Sequence, residues 1–257
     1  MRITLAKSDY PIVQAVNLSL SAGESLVLLG QSGSGKTMTC KAVMGLLNRR
    51  QFLVRGRIFY GTHELLTMST REKQMLYGGE IALIPQNPMT ALDPSMKIGN
   101  QMAETLCRHS GVSKNDCLPV LRDALRAAGL EAVDNVLNSF PHTLSGGMLQ
   151  RVIIAMALMT HAKLIIADEP TTALDVIHRN ATVEALSQMR SSGSAILMIT
   201  HDFSVAAQLG GKLAVMREGR ILESGTVGEI LSHPREDYTK ALLEASNLTQ
   251  SVEKGRW

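Results

Sequence analysis

Residues 30–37 read Gly-Gln-Ser-Gly-Ser-Gly-Lys-Thr, and an apolar run, Ser25 to Leu29, stands just before them. The run suits a strand buried on both faces of a parallel sheet, and Met38 to Leu47 suits a helix. A glycine-rich turn between strand and helix gathers backbone N–H groups into one concavity. The helix N-terminus adds partial positive charge there. Gly30, Gly33 and Gly35 let the backbone wrap an anion without Cβ clashes. Lys36 is placed to reach β- and γ-phosphates, the Thr37 hydroxyl to hold Mg²⁺, and Gln31, Ser32 and Ser34 complete the cradle. The pattern predicts a nucleotide site inside an α/β fold.

The rest of the chain alternates in the matching way. The first ~25 residues read as β-rich, with near-alternating apolar positions from Ile12 to Leu20. Arg57 to Tyr60 and Ile81 to Ile84 are further strand candidates, the second ending at Pro85-Gln86. From Met89 to Pro141 the character changes. Ile98 to His109 and Cys117 to Ala128 read as amphipathic helices punctuated by Gly111 and Gly129. Continuous apolar strands then return at Leu164 to Ala167 and Ala195 to Ile199. The sum is a parallel α/β sheet interrupted by a helical insertion.

A second motif, Leu144-Ser145-Gly146-Gly147-Met148-Leu149-Gln150-Arg151, precedes a helix expected over Val152 to Met159. Ser145 and two glycines at a helix N-terminus make a second anion site. Leu164 to Glu169 follows as an apolar strand ending in Asp168-Glu169. With these residues in hand, the chain resembles the ATP-binding cassette (ABC) ATPases over roughly Leu5 to Ala245. The resemblance implies a P-loop NTPase, RecA-like core with an N-terminal antiparallel β subdomain. It also implies an inserted α-helical subdomain over 88–150, all within one nucleotide-binding domain, 1–257.

The same resemblance assigns roles. Gly30 to Thr37 is the Walker A loop, Gln86 the Q-loop glutamine, and Ser145, Gly146, Gly147 and Gln150 the signature. Asp168 and Glu169 are the Walker B pair, Ala173-Leu174-Asp175 the D-loop, and His201 the switch histidine. Tyr10 matches the aromatic that stacks on adenine, although a solvated turn tyrosine fits it equally well. Singly, a glutamine before prolines, a histidine after a strand or an Asp-Glu-Pro turn has a bland structural explanation. Six such elements in family order do not. The implied cofactors are ATP and Mg²⁺. Thr37, Gln86 and Asp168 hold the metal, Asp168 through water. Glu169 is the general base, and His201 touches the γ-phosphate.

Three stretches resemble the branch that imports peptides and nickel: Pro85 to Pro94, Pro141 to Gly147, and His233-Pro234-Arg235-Glu236-Asp237-Tyr238-Thr239-Lys240-Ala241-Leu242-Leu243. Oligopeptide and dipeptide members often carry a C-terminal cysteine cluster, and no cysteine follows Cys117 here. That leans toward nickel or metallophore ATPases. The resemblance further implies a second ATPase subunit, two transmembrane permeases and an extracytoplasmic substrate-binding protein. The expected location is peripheral, on the cytoplasmic face of the inner membrane.

Composition narrows the alternatives. A net charge of +3 comes without a basic run, and 4% aromatic residues offer few stacking platforms, so no nucleic-acid partner is expected. That counts against a soluble ABC ATPase of DNA repair or translation, and intact motifs count against a non-hydrolysing regulatory cassette. The longest apolar run, Val152 to Met159, is far short of the ~20 residues a bilayer span needs. Cys40, Cys107 and Cys117 have no metal-ligand spacing and read as reduced structural thiols. The dispersed histidines suggest no transition-metal site.

Overall fold

The computed structural model describes residues 1–172 and 176–246. The chain opens with β1 (Arg2–Leu5), β2 (Pro11–Val13), β3 (Ser25–Leu29), α1 (Lys36–Val43) and β4 (Phe52–Arg55). A short pair follows, β5 (Phe59–Tyr60) and β6 (His63–Glu64). Next come α2 (Thr70–Leu76), β7 (Ile81–Ile84), α3 (Ile98–Ser110), α4 (Cys117–Ala127) and α5 (Val133–Asn138). They lead to α6 (Gly146–Met159), β8 (Leu164–Asp168), α7 (Val176–Ser191) and β9 (Ala195–Thr200). The last described elements are α8 (Phe203–Leu209), β10 (Lys212–Arg217), β11 (Arg220–Thr226), α9 (Val227–Ser232) and α10 (Asp237–Ala245). Contacts divide the chain into two compact units. One joins Met1–Ser69 to the chain from Leu197 onward, and the other is Thr70–Ile196.

The first unit holds the predicted strand β3. Val27, Leu28 and Leu29 pair in parallel with Leu213, Ala214 and Val215 of β10, which turns back antiparallel into β11. Apolar residues at every position suit strands covered on both faces. Leu26 to Leu29 and Leu213 to Met216 are all 5% exposed or less. Burying each valine, leucine or methionine among them contributes about 1.5–3 kcal/mol. Separately, β1 pairs antiparallel with β2 and β4, with Ile3 opposite Val13 on one side and Val54 on the other.

The N-terminal alternation promises more strand than forms. The ladder stops after Val13 because the next residues bond elsewhere. Gln14 N–H donates to Gly219 O at 2.6 Å, and Val16 N–H to Met1 O at 2.9 Å. Ala15 between them has φ +52°, which turns the chain out of extended geometry. The strand expected over 57–60 shrinks to Phe59–Tyr60, while β4 forms where the sequence suggested none.

In the second unit β7 and β8 pair in parallel, from Ile81 opposite Leu164 to Ile84 opposite Ala167. Four helices pack beside one another, α3 against α4 and α5, and α4 against α6. Ile98, Met102 and Leu106 recur every fourth residue on α3 and are buried; Leu121 and Leu125 do the same on α4. Gly111, at φ +66°, ends α3 as a left-handed cap. This packing also brings together two cysteines that sequence spacing left apart. Cys107 Sγ and Cys117 Sγ lie 3.3 Å from each other. Burial, reinforced by the contact with Cys107, pushes the Cys117 thiol up to about 11.

Candidate functional site

β3 delivers the chain into the 30–35 turn, and α1 begins at Lys36. Gly35 is the N-cap of α1 at φ +104°. A Cβ there would lie 2.9 Å from Met216 Cε, 3.1 Å from Ile12 O and 3.2 Å from Val13 Cγ2. Gly33 also has positive φ, +82°, but a Cβ there would meet nothing within 4 Å. Both positions therefore need glycine's backbone freedom, and Gly35 needs its missing side chain as well.

Lys36 is only 4% exposed. Its ammonium turns back into the loop and donates to Gly30 O at 2.6 Å, Gln31 O at 2.9 Å and Ser34 Oγ at 3.4 Å. A buried ammonium must have such partners to offset its lost hydration. Ser34 O in turn accepts from Gly219 N at 2.9 Å, tying the loop to the β10–β11 turn. Gln31 and Ser32 are exposed, and Thr37 is half-buried. Gln31 N–H donates to the Tyr238 hydroxyl of α10 at 3.3 Å. No local pattern signals that contact.

Two other predicted residues belong to this unit. His201 is exposed and directly follows β9. The turn that carries it is fixed by Asp202, whose N–H donates to Thr200 Oγ1 at 3.0 Å and whose Oδ1 caps α8 at Ser204 N, 2.7 Å. Tyr10 is 65% exposed in the β1–β2 turn, and its carbonyl accepts from Leu5 N at 3.0 Å.

In the second unit Asp168 ends β8 and is buried. Glu169 follows with φ +47°, a left-handed conformation that costs a non-glycine residue about 1–2 kcal/mol. Its Oε2 accepts from Thr172 Oγ1 at 2.9 Å and from Gln86 Nε2 at 3.3 Å. The structure thus brings Gln86 and Glu169 together. Residues held in sparsely populated backbone regions cluster at functional sites.

Ser145 caps α6, its hydroxyl accepting from Met148 N at 3.3 Å. Ser145 and Gly146 are exposed and Gly147 half-buried, so the start of α6 faces outward with N–H groups to offer. Gln150, one turn further along α6, is buried instead. It is 3% exposed, and its Nε2 has no hydrogen-bond partner among the described residues. Asp175 lies outside the described residues.

The Thr37 hydroxyl, the Asp168 carboxylate and the Gln86 amide oxygen are hard oxygen donors, a chemistry suited to magnesium alongside phosphate. Among the described residues no group of three or more His, Cys, Asp or Glu side chains could hold a metal ion.

Residues 13–172 match the family model described as ABC transporter. The oligopeptide transport ATP-binding protein OppD of Bacillus subtilis (strain 168) is 41% identical over 245 residues, 95% of this chain and 68% of that protein. The metal-staphylopine import system ATP-binding protein CntD of Staphylococcus aureus (strain Mu50 / ATCC 700699) is 39% identical over 244 residues. That match covers 95% of this chain and 90% of CntD. Among solved structures, an ATP-binding subunit of an ABC transporter superposes with a TM-score of 0.74 at 24% identity, covering 98% of each chain. The ATP-binding cassette MJ0796, described as a dimer bound to ADP and Pi, superposes at 0.76 with 23% identity, over 88% of this chain and 98% of that one. Family match, relatives and fold agree: this chain belongs to the ABC transporter family.

Proposed function

We propose that this chain is the ATP-hydrolysing subunit of a membrane importer whose cargo is a peptide or a metal chelate, nickel and metallophore complexes included. The observation that carries the reading is the loop at the start of α1, with the Lys36 ammonium drawn inside it at 2.6 Å from Gly30 O. The importer assignment is supported by the names of relatives that match nearly the whole chain, an oligopeptide transporter subunit and a metal-staphylopine importer subunit.

Phosphoryl transfer to water depends mainly on positioning and charge. The loop of Gly30 to Thr37 cradles the phosphates with the backbone N–H groups nearest the start of α1, and Lys36 trades its loop partners for β- and γ-phosphate oxygens. Thr37, Gln86 and Asp168 are the residues that would hold magnesium, which when bound neutralises phosphate charge. Glu169 takes the proton of the attacking water, its carboxylate oriented by Thr172 and Gln86. His201 contacts the γ-phosphate, and Tyr10 stacks on adenine. Ser145, Gly146 and Gly147 serve a partner subunit's nucleotide, with Gln150 backing them from within α6, and Asp175 serves as the D-loop aspartate. One loop and one signature per chain complete the sites by head-to-tail pairing with a second ATPase subunit, identical or related. The MJ0796 cassette has been solved as a dimer.

The remaining partners are two transmembrane permeases and an extracytoplasmic substrate-binding protein. The chain sits peripherally on the cytoplasmic face of the inner membrane. Among the described residues no helix is long and apolar enough to cross a membrane, in keeping with spanning segments supplied by other chains.

The test is Glu169→Gln in the full chain. MgATP binding is expected to persist while turnover falls at least ~100-fold, the scale of losing one key transition-state group. Near-normal turnover refutes the assignment. Co-purification from solubilised membranes should return two polytopic proteins and an ATPase partner; recovery with ribosomes or DNA-processing proteins would overturn the transport reading.

A further inference from the structure

The stretch His233 to Leu243 marks a branch of the family yet has no part in the chemistry above. It is nonetheless anchored with care. Glu223 on β11 is 9% exposed. Its carboxylate accepts from Arg235 N at 2.8 Å and from Glu236 N at 3.3 Å. Burial alone would raise the Glu223 carboxyl, but these N–H groups, together with the Thr239 side chain and the Arg235 charge, outweigh it and hold the group below the usual carboxylate range. Glu236 is the N-cap of α10 and makes no side-chain cap of its own, and β11 supplies the acceptor for its N–H. Thr239 and Leu243 are buried, which sets the rotation of α10 about its axis.

That rotation carries the Tyr238 hydroxyl to Gln31 N at 3.3 Å. The ring packs beneath the Arg217 guanidinium, 4.9 Å from its centroid. Gln31 N–H and Gly30 C=O belong to one peptide group, and in a trans peptide they point opposite ways. Lys36 Nζ holds the oxygen of that group at 2.6 Å, while Tyr238 holds its N–H. One peptide plane of the phosphate-binding loop is thus gripped from both edges. Hydrogen bonds sharing a peptide in this way polarise one another.

We propose that Tyr238 is a positioning residue for nucleotide binding, clamping the Gly30–Gln31 peptide of the loop from α10. The inference rests on the reading of residues 30–37 as the ATP site. When phosphate arrives, Lys36 must release its loop carbonyls to reach it, and the peptide loses one of its two restraints. Tyr238 is the restraint that stays. It keeps the loop in its binding shape while the lysine changes partners, and the unliganded loop has less ordering left to do.

The experiment measures MgADP affinity of the full chain by calorimetry, for Tyr238→Phe beside Lys36→Ala. Phenylalanine keeps the ring under Arg217 and removes only the hydroxyl. The dissociation constant is expected to rise about 2–10-fold, the worth of one neutral hydrogen bond. Amide exchange at Gln31 should quicken, while the melting temperature and kcat at saturating ATP stay as they were. Unchanged affinity in Tyr238→Phe, with Lys36→Ala strongly weakened, overturns the clamp and leaves the ATP site standing. Unchanged affinity in Lys36→Ala overturns the site and the clamp together. A loss of kcat at unchanged affinity also rejects a positioning role in binding.

Discussion

Gly35 and Gly33 both sit at positive φ in the same loop, yet the structure expects alanine to act differently at each. At Gly35 two costs add. Backbone at φ +104° strains an L-residue by about 1–3 kcal/mol. The new methyl would also stand 3.1 Å from Ile12 O and 3.2 Å from Val13 Cγ2. Met216 Cε, at 2.9 Å, can swing away because it ends a flexible chain, but a β2 carbonyl cannot. Overpacking of this kind costs about 1–3 kcal/mol. Gly35→Ala should therefore destabilise by roughly 2–6 kcal/mol. At Gly33 only the backbone strain applies, roughly 1–3 kcal/mol. Urea unfolding of both full-length variants, read at equal slope, measures the difference. Among molecules that remain folded, Gly33→Ala should still bind MgADP less tightly, because its methyl is added to the backbone that receives phosphate. Equal destabilisation, or a larger loss at Gly33, would refute the packing described around Gly35.

Two more outcomes follow from contacts outside the loop. Mild oxidation with diamide should join Cys107 to Cys117, whose sulfurs lie 3.3 Å apart, and leave buried Cys40 as a reduced thiol. Non-reducing peptide mass spectrometry reads this directly, and unlinked Cys107 and Cys117 peptides contradict the α3–α4 packing. Glu223→Gln should lower stability near pH 7 by about 1.5–3 kcal/mol, the worth of hydrogen bonds to a charged group. Because the folded carboxyl is held below its unfolded value, its contribution is full above about pH 4.3 and is lost as pH falls through the folded value. A gap between wild type and variant that is undiminished in strong acid argues against the charged cap.

The parts of this fold that could be read in advance share a physical trait. β3 was legible because each of its five residues is buried, so apolar character continues unbroken. β4 was not, since it alternates half-buried and exposed positions over only four residues. The signature helix was expected from Val152 but begins at Gly146. Two glycines hide a first turn that the Ser145 cap in fact nucleates. Nothing about a glutamate announces the left-handed backbone of Glu169, because a positive φ there is imposed by surroundings and not by side-chain preference.

The candidate site divides along the same line. Lys36 finds partners 6, 5 and 2 positions away, so a short motif contains nearly everything needed to infer its chemistry. Tyr238 meets the same loop across 207 positions, and the thiol contact depends on how two helices pack rather than on the 10 positions between them. Local motifs encode which reaction is run, because phosphate chemistry demands particular groups at particular spacings. How firmly the loop is held before nucleotide arrives is set by contacts that close only after the sheet and α10 have formed. Substitutions at Tyr238 should therefore tune nucleotide affinity, and those at Glu223 stability, without touching the motif residues, which makes the C-terminal helix the place to look when related cassettes with identical motifs differ in affinity.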